Sequence, residues 1–149
     1  MLAAKIRKKI PSLLDHKSFL TGPENKDLLG RGSFGLVRRC YHETLNRVVI
    51  KYFPLNGSNE AISRKIQDAA KEAIVLKSLN HINIVKTFGI TAWNDCCGII
   101  MEEVPGGSLE DLLFNLNQKS LPWNVRGSFY RQLADAIKYL HNHSKKFVH

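Results

Sequence analysis

No stretch of the sequence holds the roughly 20 apolar residues that a membrane-spanning helix requires, so no transmembrane segment is expected in its 149 residues. Cysteine is scarce. Cys40, Cys96 and Cys97 are an odd number without metal-ligand spacing, which excludes a disulfide framework and points to a reducing, cytoplasmic setting. Cys96 and Cys97 are adjacent in a turn, where a redox-active pair and two ordinary buried or half-buried thiols are both open readings. Acid is missing from the start: Lys5, Arg7, Lys8 and Lys9 precede the first carboxylate, Asp15. The net charge of +9 invites a nucleic-acid partner, but no basic stripe is interleaved with aromatics, and none is expected. There is no internal repeat and no low-complexity segment. What remains, 44% apolar and 23% charged residues, is ordinary for a globular domain with one core.

Residues 1–25 read as an N-terminal extension. Leu2, Ile6 and Ile10 have helical spacing, which resembles a weak presequence or a basic surface helix. Pro11 cuts the pattern short, and Gly22-Pro23 supplies a turn. "KDLLGRGSFGLVRRCYHE" reads as strand, glycine turn and strand, and "RVVIKYF" as a third strand. From Glu60 to Leu79, Ile62, Ile66, Ala69, Ala73, Leu76 and Leu79 form one helical stripe, with Ser58 or Asn59 as its cap. "NIVKTFGIT" and "CGIIMEEV" are two more strands, joined around Asn94-Asp95. After "PGG", Ser108 and Asp111 form a capping box for a short helix. Pro122 opens another helix, on which Val125, Phe129, Ala136, Ile137 and Leu140 share a face. Five strands with one helix, followed by helices alone, predict an α+β chain in two unequal lobes.

Gly30, Gly32 and Gly35 make a GxGxxG pattern. A dinucleotide-binding reading needs these glycines to open a helix, with an acid about 20 residues on. Here they lead into a strand, and Lys51 stands at that distance. A glycine hairpin can instead lay backbone N–H groups over phosphates, because no Cβ blocks the approach. Lys51 can reach the same phosphates, and alternation puts Val49 on its face. A lysine in a cleft needs a carboxylate to hold it; Glu72, beside Ala73 on the helix, is the candidate.

Together these residues resemble the N-terminal half of a eukaryotic protein kinase domain, from about Lys26 to His149. The glycine loop with Val37, the VxxK strand, Glu72, "HINIV" and "IIMEEVPGGSLEDLL" match in order and spacing. The resemblance implies the small lobe of that fold, a five-stranded antiparallel sheet plus one helix over about 26–104, and the first helices of the large lobe over 105–149. It implies ATP as the bound nucleotide. Gly30, Gly32, Ser33 and Gly35 would lie at the phosphates, and Lys51, paired with Glu72, would bind them. Leu29, Val37 and Val49 would sandwich the adenine. Met101 would be the gatekeeper, Glu102, Glu103 and Val104 the hinge, and Asp111 a residue near the ribose. The wording "KTFGIT", "PGGSLEDLL" and "YLHNHSKKFVH" is most similar to the tyrosine-kinase-like group, RIP-type kinases included.

Val49 stands where the family usually has Ala, Ile82 where Pro is common, and Thr87 where a larger apolar residue is usual. "FVH" is expected to be the strand entering the catalytic loop, with His149 as that loop's first residue. The proton-accepting Asp and the Mg²⁺-holding Asn and Asp are then absent, so the chain is expected to be a fragment, inactive alone, with Mg²⁺ bound only in a longer form. The expected function is the ATP-binding portion of a protein Ser/Thr (or Tyr) kinase, whose protein substrates and signalling partners the sequence does not name. The alternative left open is a non-catalytic half-kinase acting as an interaction module.

Overall fold

The computed structural model describes residues 14–15, 18–20, 27–32, 35–92, 96–115 and 121–143. Ser33, the Asn94-Asp95 turn, the helical pattern at residues 2–10 and the "FVH" strand lie outside the described residues. The chain divides into two compact units: residues 1–80 with 86–103, and residues 81–85 with 104–149.

The first unit is an antiparallel sheet carrying one helix. Its strands are β1 (Phe19–Leu20), β2 (Leu28–Gly32), β3 (Gly35–His42), β4 (Asn46–Pro54), β5 (Thr87–Ala92) and β6 (Cys96–Glu102), and helix α1 spans Asn59–Lys77. The sheet order is β1-β3-β4-β6-β5, with β2 pairing β3 as well. The five expected strands are all present. The sixth, β1, comes from within the expected extension and pairs Phe19 with His42 and Leu20 with Tyr41.

Alternation along β4 and β6 divides the core between the two faces of the sheet. On one face, Cys97, Ile99, Ile90 and Ala92 pack with Ile66, Ala69, Ala70 and Ala73 of α1. On the other, Cys40, Val48, Ile50 and Ile100 are covered by Phe19, with Leu14 against them. The Leu14 N–H donates to the Ile90 carbonyl at 2.9 Å. The end of the extension is therefore part of the core, for a sheet with two apolar faces needs a cover on each. Helix α1 starts as expected, with the Ser58 hydroxyl accepting the Ala61 N–H. Cys96 and Cys97 lie in β6, not in a turn. Consecutive strand residues point to opposite faces; Cys97 is buried, and no disulfide joins any of the three cysteines.

The second unit contains α2 (Leu109–Asn115) and α3 (Trp123–Asn142). The expected capping box forms: Asp111 Oδ2 accepts the Ser108 N–H at 2.9 Å and its hydroxyl at 2.6 Å, while the Asp111 N–H donates to Ser108 Oγ at 3.0 Å. Asn83 Nδ2 donates to the Gln132 carbonyl at 3.2 Å, and the His81 and Tyr139 rings lie 4.9 Å apart. These contacts tie the His81–Val85 segment to α3. Of the face expected on α3, only Ala136 is buried. Phe129 and Ile137 are exposed, as are Trp123, Tyr130 and Leu133. Among the described residues, no helix is long and apolar enough to cross a membrane.

Candidate functional site

The glycine hairpin closes with Gly32 opposite Gly35, Arg31 opposite Leu36 and Gly30 opposite Val37, after an irregularity between Leu28 and Gly30. Its glycines have different reasons to be there. Gly35 has φ +136°, and a Cβ there would fall 1.9 Å from the Tyr52 carbonyl oxygen, so the fold itself requires glycine. Gly30 needs neither a positive φ nor close packing, since a Cβ there would meet nothing within 4 Å. The open space over Gly30 is what a backbone cradle for a ligand offers.

Register places the other residues. One row runs Val37–Lys51–Ile99 across three strands, and the next runs Arg39–Val49–Met101–Thr87 across four. Alternation puts Val37, Val49, Lys51 and Met101 on one face of the sheet, the face that carries α1. Lys51 Nζ donates to Glu72 Oε1 at 3.4 Å and lies 5.2 Å from the centre of the Phe53 ring. Helix α1 brings Glu72 to this point because Ala69 and Ala73, on the same stripe, are buried against the sheet. Val49 is 7% exposed and Leu29 is 47% exposed, so the aliphatic strip is nearly closed at Val49 and open at Leu29. Thr87 is 4% exposed.

At the end of β6, Glu102 and Glu103 are held by different partners. The Glu102 N–H donates to the Lys86 carbonyl at 2.9 Å, and Glu102 Oε1 accepts the Lys86 N–H at 2.6 Å. Glu103 Oε1 accepts from Arg39 Nε at 2.7 Å and from Arg47 Nη2 at 3.3 Å. Its Oε2 forms an ion pair with Arg47 Nε at 2.9 Å, out of line for a hydrogen bond. Sequence reasoning missed both arginines. Their residue type carried no signal, because what brings them to Glu103 is cross-strand register.

In the second unit, Val104 is exposed. The Asp111 carboxylate caps α2, and its hydrogen bond from Ser108 holds its pKa below the usual range. Asp111 Oδ2 is thus already engaged within its own helix. Among the described residues, no three His, Cys, Asp or Glu groups are placed to hold a metal ion.

A model of the protein kinase domain matches residues 24–149. The chain is similar to the mitogen-activated protein kinase kinase kinase ANP1 of Arabidopsis thaliana, 35% identical over 121 residues, which cover 78% of this chain and 18% of that protein. It is similar to the probable serine/threonine-protein kinase roco11 of Dictyostelium discoideum, 32% identical over 146 residues, which cover 95% of this chain and 9% of that protein. It is also similar to the mitogen-activated protein kinase kinase kinase MST11 of Pyricularia oryzae, 31% identical over 149 residues, which cover 91% of this chain and 16% of that protein. The chain thus spans less than a fifth of the length of each of these relatives. All three bear the names of kinases, which lends nothing to a non-catalytic interaction module.

Proposed function

The chain belongs to the protein kinase domain family, and from that premise we propose that it is the ATP-binding portion of a Ser/Thr protein kinase. The observation that carries the reading is the 3.4 Å pair of Lys51 and Glu72, set on one face with Val37, Val49 and Met101 beside the glycine hairpin. An aliphatic strip of this kind suits an adenine ring, and a fixed ammonium beside it suits phosphates. Gly30 and Gly32 offer backbone without side chains for the phosphates to approach, while Glu72 keeps the lysine from swinging into water. Leu29, Ser33, Gly35, Glu102 and Val104 complete the assignment by resemblance. Asp111 is assigned to the ribose on the same ground.

Magnesium supplies charge neutralisation in the family's phosphoryl transfer. The described residues do not form a site that fits it, so the phosphate contacts assigned to this chain are those of Lys51 and the glycine hairpin. Transfer of a phosphoryl group to protein Ser or Thr is the activity this nucleotide site would serve. The names of the relatives support Ser/Thr specificity. Placement in the tyrosine-kinase-like group rests on sequence wording alone, and a cytoplasmic location rests on three cysteines without a disulfide.

The test is a calorimetric titration of the chain with ATP. Binding that Lys51→Met weakens at least tenfold, equivalent to about 1.4 kcal/mol, supports the reading. Binding indifferent to Lys51 removes it.

A further inference from the structure

Two carboxylates in succession leave β6 and are tied down on different sides. Glu102 is bound to Lys86, the residue before β5, through both its backbone and its side chain. Glu103 is bound to Arg39 of β3 and Arg47 of β4. The Glu103 side chain is only 9% exposed, against 31% for Arg39 and 57% for Arg47. A carboxylate so shielded from water needs compensating charge, and two guanidinium groups supply it. The peptide between Glu102 and Glu103 is therefore anchored from both of its side chains.

The clamp also borders the candidate nucleotide face. Arg39 lies in the cross-strand row of Val49 and Met101. Arg47 precedes Val49 by two residues and Glu103 follows Met101 by two, so alternation keeps all of them on the face of Lys51. The aliphatic strip of Val37, Val49 and Met101 thus has an ion pair at each end: Lys51 with Glu72, and Glu103 with its two arginines. The first suits phosphates. The second sets two guanidinium groups on one nearly buried carboxylate, so both arginines are engaged by Glu103. Its effect is to fix backbone.

Building on the nucleotide-binding reading above, we propose that Arg39 and Arg47 are positioning residues for adenine recognition. By clamping Glu103 they hold the Glu102–Glu103 backbone in the conformation against which the base is read. A pre-ordered backbone spares the ligand the cost of ordering it. Affinity for the adenine half then depends on the clamp, and affinity for the phosphate half on Lys51.

The experiment is a set of calorimetric titrations of the chain with adenosine and, separately, with ATP, using wild type, Glu103→Gln, Arg47→Gln and Lys51→Met. Each variant's thermal unfolding is recorded alongside. Glu103→Gln is expected to weaken adenosine and ATP by the same factor, about tenfold. Arg47→Gln is expected to weaken both severalfold at an unchanged unfolding midpoint, since this half-exposed side chain carries little stability. Lys51→Met should weaken ATP and leave adenosine untouched. Clamp variants that fold and bind both ligands like wild type overturn the proposal while ATP binding stands. Loss of ATP affinity with adenosine unaffected also overturns it, because the clamp would then act on phosphates. Wild type that binds neither ligand overturns both readings.

Discussion

Lys51 Nζ lies 3.4 Å from Glu72 Oε1, with 28% of the lysine side chain and 44% of the glutamate side chain exposed. A pair this wet contributes at most about 1 kcal/mol to folding after solvent screening. Its value is orientation. Glu72→Gln is therefore expected to leave urea unfolding within about 1 kcal/mol of wild type while weakening ATP binding severalfold. A large loss of stability would mean that the pair belongs to the core.

The hairpin glycines separate fold from ligand. Gly35→Ala sets a methyl group 1.9 Å from the Tyr52 carbonyl oxygen at φ +136°. It should cost roughly 2–4 kcal/mol, as strained or overpacked sites do. Gly30→Ala meets open space, so its unfolding midpoint should stay near wild type while ATP affinity falls. Equal destabilisation by both substitutions would contradict this division.

Removing the cover of the second face should unfold the sheet more readily. Phe19 is 8% exposed and packs with Cys40, Val48, Ile50 and Ile100. Phe19→Ala is expected to cost about 3 kcal/mol, as a truncated core aromatic does, and deletion of residues 1–20 at least as much. Denaturant midpoints measure both. A deletion without effect would return residues 14–20 to the status of a plain extension.

Alkali should destabilise the first unit. Burial raises the Cys97 thiol from 9.0 to about 11, and it raises Cys40 and Tyr52 as well. For each, the folded form holds its proton more tightly than the unfolded chain. The stabilisation is full below the unfolded pKa and is lost as pH climbs through the folded one. For Cys97 alone the shift is worth about 2–3 kcal/mol, lost between roughly pH 9 and 11. A stability profile flat from pH 8 to 11 would refute it, and Cys97→Ser should shrink the slope.

In the second unit, α3 exposes Trp123 at 80%, Tyr130 at 70%, Leu133 at 59% and Ile137 at 40%. Side chains of this kind gain roughly 1.5–3 kcal/mol each when buried, so the isolated chain is expected to self-associate. Leu133→Lys with Ile137→Lys should shift sedimentation toward the monomer. An unaltered distribution of species would exonerate this face.

The sequence by itself settled the local elements. Apolar, β-rich runs bounded by polar and turn residues marked the strands, the stripe from Ile62 to Leu79 marked α1, Ser108 and Asp111 marked the start of α2, and GxGxxG followed by strand residues marked a hairpin. Those signals lie within a few residues of one another, where backbone geometry and hydrogen bonding act directly. The pairing of Lys51 with Glu72 was legible because both elements had a definite polarity and face. What tertiary structure alone decided lay farther apart. Arg39 and Arg47 reach Glu103 across 64 and 56 residues, and nothing local to any of the three foretells it, since strand register sets which side chains become neighbours. The burial of Phe19 was likewise hidden, because a sheet with two apolar faces accepts any apolar segment that can reach the uncovered one. The exposure of Phe129 and Ile137 is a matter of packing too: helical periodicity shows that a face is apolar, and only the tertiary structure shows whether anything lies against it.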